Sequence, residues 1–204
     1  CTTPNGTVAQ YGAIAGEGGI WMGGGGIAVD GANNLYFATG DGNFNAFPGA
    51  NGTEYGSTYL KLSTAGGLSV ADYFTLNNQA FLQNNDIDVG SGGVILLPDQ
   101  PGPVPRLMVG AGKPSRAFLM NRDQLTADNQ HISTNGQDNV VQTMPLGGGA
   151  FDTPAYFDEK IYYVAVKDVI RSYSLSDGTL IPDLPNSFGT RKFGFPGATP
   201  SISA

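Results

Sequence analysis

The chain is expected to be all-β, built from repeated four-stranded antiparallel units. Three observations carry this. Glycine is abundant, 31 of 204 residues, while only 13% of the chain is charged, a composition of turns and close backbone approaches. A strand–turn–strand pattern recurs three times. No stretch has convincing helical periodicity, although residues 123–130 have room for a turn or two.

The first strands of the units fall at 25–30, 92–97 and 152–157, and their partners at 35–40, 107–110 and 161–164. Polar turns such as 31–34 and Asp158-Glu159 separate them. Third strands are expected at 58–63, 117–121 and 169–175; in the first of these Tyr59, Lys61 and Ser63 alternate with Leu60 and Leu62. Fourth strands follow at 70–74, at 140–143 and, most weakly marked, near 179–181. Asp177-Gly178 supplies the last hairpin turn.

Four-stranded units of this length are blades, and blades close radially into a propeller of typically about 4–8. Blades are expected at 24–75, 90–144 and 149–184, within a single partial domain 1–204 that has partial blades at 1–20 and 195–204. The end of the chain, Gly197-Ala-Thr-Pro-Ser-Ile-Ser-Ala204, restates Asp152-Thr-Pro-Ala-Tyr156 and stops within that pattern. The chain also begins at Cys1 without Met, so it is expected to be a piece of a longer one. A single cysteine forms no internal disulfide.

A net charge of −7 and a pI near 4.4 set nucleic acid aside, because phosphate binding needs clustered Lys and Arg. No apolar run approaches the ~18 residues of a membrane span.

The stretch 86–122 concentrates the chemistry. Asp86 and Asp88 precede the apolar run 94–97, and Lys113 closes the partner strand 107–110. Spacing of i, i+2 on a strand puts both carboxylates on one face, where each raises the proton affinity of the other. They are either a general base with its neighbour or caps of a strand start. Lys113 either donates to a ligand or pairs with Asp88. Asp41-Gly-Asn43-Phe-Asn45 is oxygen-rich but lacks the Gly and distal acid of an EF-hand loop. Gly23 to Gly26 lacks the strand-to-helix setting of a phosphate cradle. The only histidine, His131, is expected in a solvated loop, which leaves no Ser-His-Asp triad. Asn5-Gly-Thr7 and Asn51-Gly-Thr53 fit a glycosylation pattern and also read as turns.

The segment from Asp152-Thr-Pro-Ala-Tyr-Phe through Ile161-Tyr-Tyr-Val164 to Tyr173-Ser-Leu-Ser-Asp-Gly178 resembles the repeat of the pyrroloquinoline-quinone (PQQ) propellers, which include quinoprotein alcohol dehydrogenases and non-enzymatic relatives. The resemblance extends over nearly the whole chain. It implies that Asp88, before its inner strand, is the catalytic base, and that Lys113, nine residues before Arg122, contacts the quinone. It implies a calcium ligand at Asp41, directly after Leu35-Tyr-Phe-Ala-Thr-Gly40, where the family carries Asn; a carboxylate serves a hard cation equally. The quinone-stacking tryptophan of the family aligns with Gly24, the cofactor-side position, and Trp21 lies three residues earlier. The family's glutamate ligand would fall upstream of Cys1. PQQ and calcium are thus the implied cofactors, an alcohol or sugar hydroxyl the implied substrate, and the periplasm or extracellular space the implied location. The alternative is a non-catalytic propeller that binds a protein or glycan.

Overall fold

The computed structural model describes residues 18–132, 136–180 and 185–203. They form three antiparallel meanders. The first runs β1 (Ala28–Val29), β2 (Leu35–Ala38), β3 (Thr58–Ser63) and β4 (Ser69–Thr75). A short helix, α1 (Gln79–Asn84), leads to the second: β5 (Val94–Leu96), β6 (Leu107–Ala111), β7 (Arg116–Asn121) and β8 (Gln142–Pro145). The third contains β9 (Ala155–Phe157), β10 (Lys160–Tyr163), β11 (Val169–Ser176) and β12 (Thr179–Leu180), with β13 (Ser187–Lys192) also paired to β11. Among the described residues no named strand pairs across two sheets, and no helix is long and apolar enough to cross a membrane.

Several elements depart from expectation. β1 keeps only two residues of 25–30, because its leading glycines bring no side chains to pack against a neighbour. The turns at 123–130 contain no helix, whereas 79–84 is one; its six residues are too few to show a period. β13 was not anticipated. It is polar, and it shares the outer position with β12: β12 pairs with Leu175 and Ser176, while β13 lies opposite Val169, Arg171 and Ser172. Residues 197–203 restate the repeat but form no strand.

The middle sheet is buried on both faces. Successive side chains of a strand point to opposite faces. Met108, Phe118 and Met120 therefore pack with Tyr59 and Phe74 of the first sheet, while Leu107, Val109 and Leu119 pack with Ile161 and Tyr173 of the third. This is why 107–109 and 117–120 read as unbroken apolar runs, as strands covered on both sides do. Phe118 meets Tyr59 and Phe74 edge-on at centroid distances of 5.9 and 5.6 Å.

The segments leading into the first strands converge at one end of the stack. A Cβ on Gly23 would lie 2.5 Å from the Phe151 carbonyl and 2.6 Å from that of Ser91. Thr153 Oγ1 donates to the Gly23 carbonyl at 2.8 Å. The loops that follow the second strands, 39–42 and 112–113, reach the same end.

Candidate functional site

Four charged side chains from three loops meet at this end. Asp86 follows α1. The Ile87 N–H bonds the Leu82 carbonyl at 2.9 Å and the Asp86 N–H bonds that of Gln83 at 3.4 Å, the reciprocal pattern of a Schellman cap. Asp86 occupies the left-handed position, with φ +54°. The cap turns the chain so that Asp88 runs alongside the end of β6, where the Lys113 N–H donates to the Asp88 carbonyl at 3.0 Å. Hairpin register puts the two residues at the same end: Val94 lies opposite Gly110.

Asp41 arrives from the other side. The Gly40 N–H bonds the Gly19 carbonyl and the Ser57 N–H bonds the Gly40 carbonyl, each at 2.8 Å. Gly90 makes the approach possible, since a Cβ there would sit 2.3 Å from Gly40 N and 2.4 Å from the Thr39 carbonyl carbon. Gly90→Ala is expected to cost about 1–3 kcal/mol as the backbones are forced apart, read as a shift in the urea midpoint.

The carboxylates of Asp41, Asp86 and Asp88 each offer an oxygen within 4.8 Å of the others. The Lys113 ammonium pairs with Asp86 and, at 2.8 Å, with Asp88. With Gly19, Trp21 and Gly40 these residues line a cavity of about 160 Å³. Asp88 is buried, whereas the Asp86 carboxylate is open to solvent. Trp21 is 67% exposed, so its ring is available to a ligand.

The protonation states follow from this geometry. Burial, the hydrogen bond shared with Asp86 and the charge of Asp88 push Asp41 up to about 7. Asp86 is held below the usual carboxylate range by hydrogen bonds with Lys113 and then Asp41. Burial works against the Lys113 ammonium, but its hydrogen bonds to Asp86 and Asp88 outweigh it and raise its pKa. Since the folded chain holds the Asp41 proton more tightly than the unfolded one, Asp41 costs stability as pH rises from about 4 to 7. Relative to wild type, Asp41→Asn is expected to gain about 1–2 kcal/mol between pH 5 and pH 8 in urea unfolding, less than the full shift implies because the pocket is open to solvent.

The structure thus brings Asp88, Lys113 and Asp41 together, with Asp86 beside them. Gly24 it places elsewhere: its φ is +72°, and a Cβ would lie 1.9 Å from Thr199 Oγ1, so a larger residue there is strained and displaces the Thr199 side chain. Trp21 is the aromatic residue at the pocket. Its position depends on a turn with a Gly25 N–H to Met22 carbonyl bond, which spacing along the chain did not reveal. No protein-family model matches the chain, and neither does any curated protein.

Two other motifs are accounted for structurally. Asn45 Oδ1 accepts from the N–H groups of Thr53 and Glu54, at 2.8 and 2.9 Å, so the oxygen-rich loop closes on itself. His131 is not the solvated loop residue expected: its ring stacks on Tyr73 at 4.2 Å, and its Nδ1 lies 3.1 Å from Asp72. Asn51 is exposed, and Asn5 lies outside the described residues.

Proposed function

We propose that the three meanders are blades of a PQQ-like β-propeller, and that the pocket at their converging end serves a quinone-dependent oxidoreductase acting on an alcohol or sugar hydroxyl. One observation carries the reading: Asp41, Asp88 and Lys113, which the resemblance marks as metal ligand, base and quinone contact, line a single pocket despite their separation along the chain. The strand starts that meet beside it correspond to the crowded axis of a propeller.

The residues fit a hard cation, since three carboxylate oxygens lie within 4.8 Å of one another and oxygen is the donor calcium takes. They also fit the carbonyl edge of a quinone, with Lys113 as donor and Trp21 as a flat apolar surface. Asp41 and Asp86 would hold the cation, Lys113 and Trp21 the quinone, and Asp88 would stand beside them as the base. When bound, the quinone supplies the hydride acceptor and the cation polarises its carbonyl. In this reading Asp88 takes the proton of the substrate hydroxyl as hydride leaves the carbon, and Lys113 orients the Asp88 carboxylate through their 2.8 Å pair. A second reading, a propeller that docks a protein or glycan at this end without catalysis, is favoured by the exposure of Ile20 and Trp21.

The two readings separate on adding PQQ and calcium to the full-length protein, then following quinone absorbance and dye reduction by alcohols. Calcium-dependent uptake with turnover supports the oxidoreductase, and no uptake removes it.

A further inference from the structure

A second, larger cavity lies at the opposite end of the same strands. β2, β5, β6 and β7 all span the two ends: each has its other terminus at the acidic pocket or the strand starts beside it. The cleft holds about 390 Å³, within the range of about 300–1,000 Å³ that takes a small molecule. Its walls are the β1–β2 turn, the loop between β5 and β6, and the residues just after β7.

The chain carries a net charge of −7, yet three of its ten basic residues, Lys61, Arg106 and Arg122, line this one cleft. Their partners leave capacity to spare. Lys61 Nζ donates to the Arg122 carbonyl at 2.9 Å and lies 5.6 Å from the centroid of the Tyr36 ring, but among the described residues it has no carboxylate within 4 Å. Arg122 is only 9% exposed, and its Nε has no hydrogen-bond partner. Its Nη2 reaches Asp99 at a long 3.3 Å, and that carboxylate is 74% exposed. Arg106 Nε pairs with Asp123 at 2.9 Å, and both side chains are largely in solvent.

The acidic residues divide into two kinds. Asp30 has no acceptor capacity left: it takes the N–H groups of Ala32 and Asn34, the Asn34 amide and the Tyr36 hydroxyl, each at 2.9 Å. Burial raises its pKa, but these four bonds outweigh that and lower it to about 2, so it stays ionised and fixes the wall. Asp99 and Asp123 are held only by single, solvent-facing ion pairs, worth little in themselves. They can yield their arginines to a ligand and accept hydrogen bonds from it instead.

We infer that this cleft binds a small polyhydroxylated carboxylate of the sugar-acid class, its carboxylate taken by Lys61, Arg106 and Arg122 and its hydroxyls by Asp99 and Asp123. A neutral sugar would leave the lysine without a counter-charge. A bare inorganic anion would use the cations and not the exposed carboxylates. The inference is independent of the chemistry at the acidic pocket, since the two sites share no residue.

The test is titration calorimetry of the full-length protein with galacturonate, galactose and inorganic phosphate as probes. Galacturonate is expected to bind with Kd below about 1 mM, about tenfold or more tighter than the other two. Arg106→Gln and Lys61→Gln are each expected to weaken galacturonate by about tenfold; Arg106, being exposed, is the variant that leaves the fold intact and the melting temperature unchanged. Binding of galactose or phosphate as tight as that of galacturonate would overturn the assignment, as would absent galacturonate binding or affinity unchanged in Arg106→Gln.

Discussion

On the proposed oxidoreductase reading, Asp88→Asn is expected to lower quinone-dependent alcohol oxidation by the full-length protein about 10³-fold, within the span of about 10²–10⁴ that a positioned general base contributes. Cofactor uptake should survive, because Asp41 and Asp86 still offer oxygen donors to a hard cation while the amide loses the site that accepts the substrate proton. Lys113 would retain its pair with Asp86, so the side chain opposite is not stranded. Single-turnover reduction of bound quinone, read spectroscopically, separates the lost step from lost binding. A variant that reduces quinone at the wild-type rate would move the base elsewhere in the pocket.

Phe118→Ala is expected to destabilise the protein by about 3–5 kcal/mol in urea unfolding, the range for removing a fully buried aromatic residue. Phe118 is completely buried and lies between the first and second sheets, against Tyr59 and Phe74. Neither neighbour can collapse into the space without leaving its own strand register, Tyr59 opposite Phe74. Leu119→Ala, one residue on, opens the other interface, towards Ile161 and Tyr173, and is expected to cost about 2–5 kcal/mol. Comparable losses at adjacent positions are the mark of a sheet packed on both faces. A strand with one solvated face would show one large and one negligible effect.

What could be read in advance follows the same physics. β3 occupies the expected residues 58–63, but the alternation holds only for Lys61 and Ser63 against the leucines: Tyr59, expected on the polar face, is fully buried because the second sheet covers that face with Phe118. β1 shrank because glycine supplies no such pattern, and β13 was hidden because a polar outer strand has none. At the pocket, the hairpin register that brings Asp88 to Lys113 was legible from two apolar runs and the turn between them. The meeting of Asp41 with Asp86 was not. It depends on the Schellman cap after α1, a helix too short to announce itself, and on the contact of Gly90 with residues 39 and 40, which is set by tertiary packing. Trp21 was passed over for a similar reason, since the segment before it is tied to the pocket by the Gly40 N–H to Gly19 carbonyl bond, a tertiary contact.

The proposal for the acidic pocket is tested most directly by terbium luminescence of the full-length protein, excited through tryptophan. Terbium takes the oxygen ligands of calcium, and Trp21, the only tryptophan of this chain, lines the same cavity as the three carboxylates. Sensitised emission should saturate on addition of the ion, be displaced by calcium, and fall sharply in both Asp41→Ala, which removes the oxygen donor, and Trp21→Phe. Emission of equal strength in Asp41→Ala and the wild type would mean that the ion sits elsewhere, and would contradict the account.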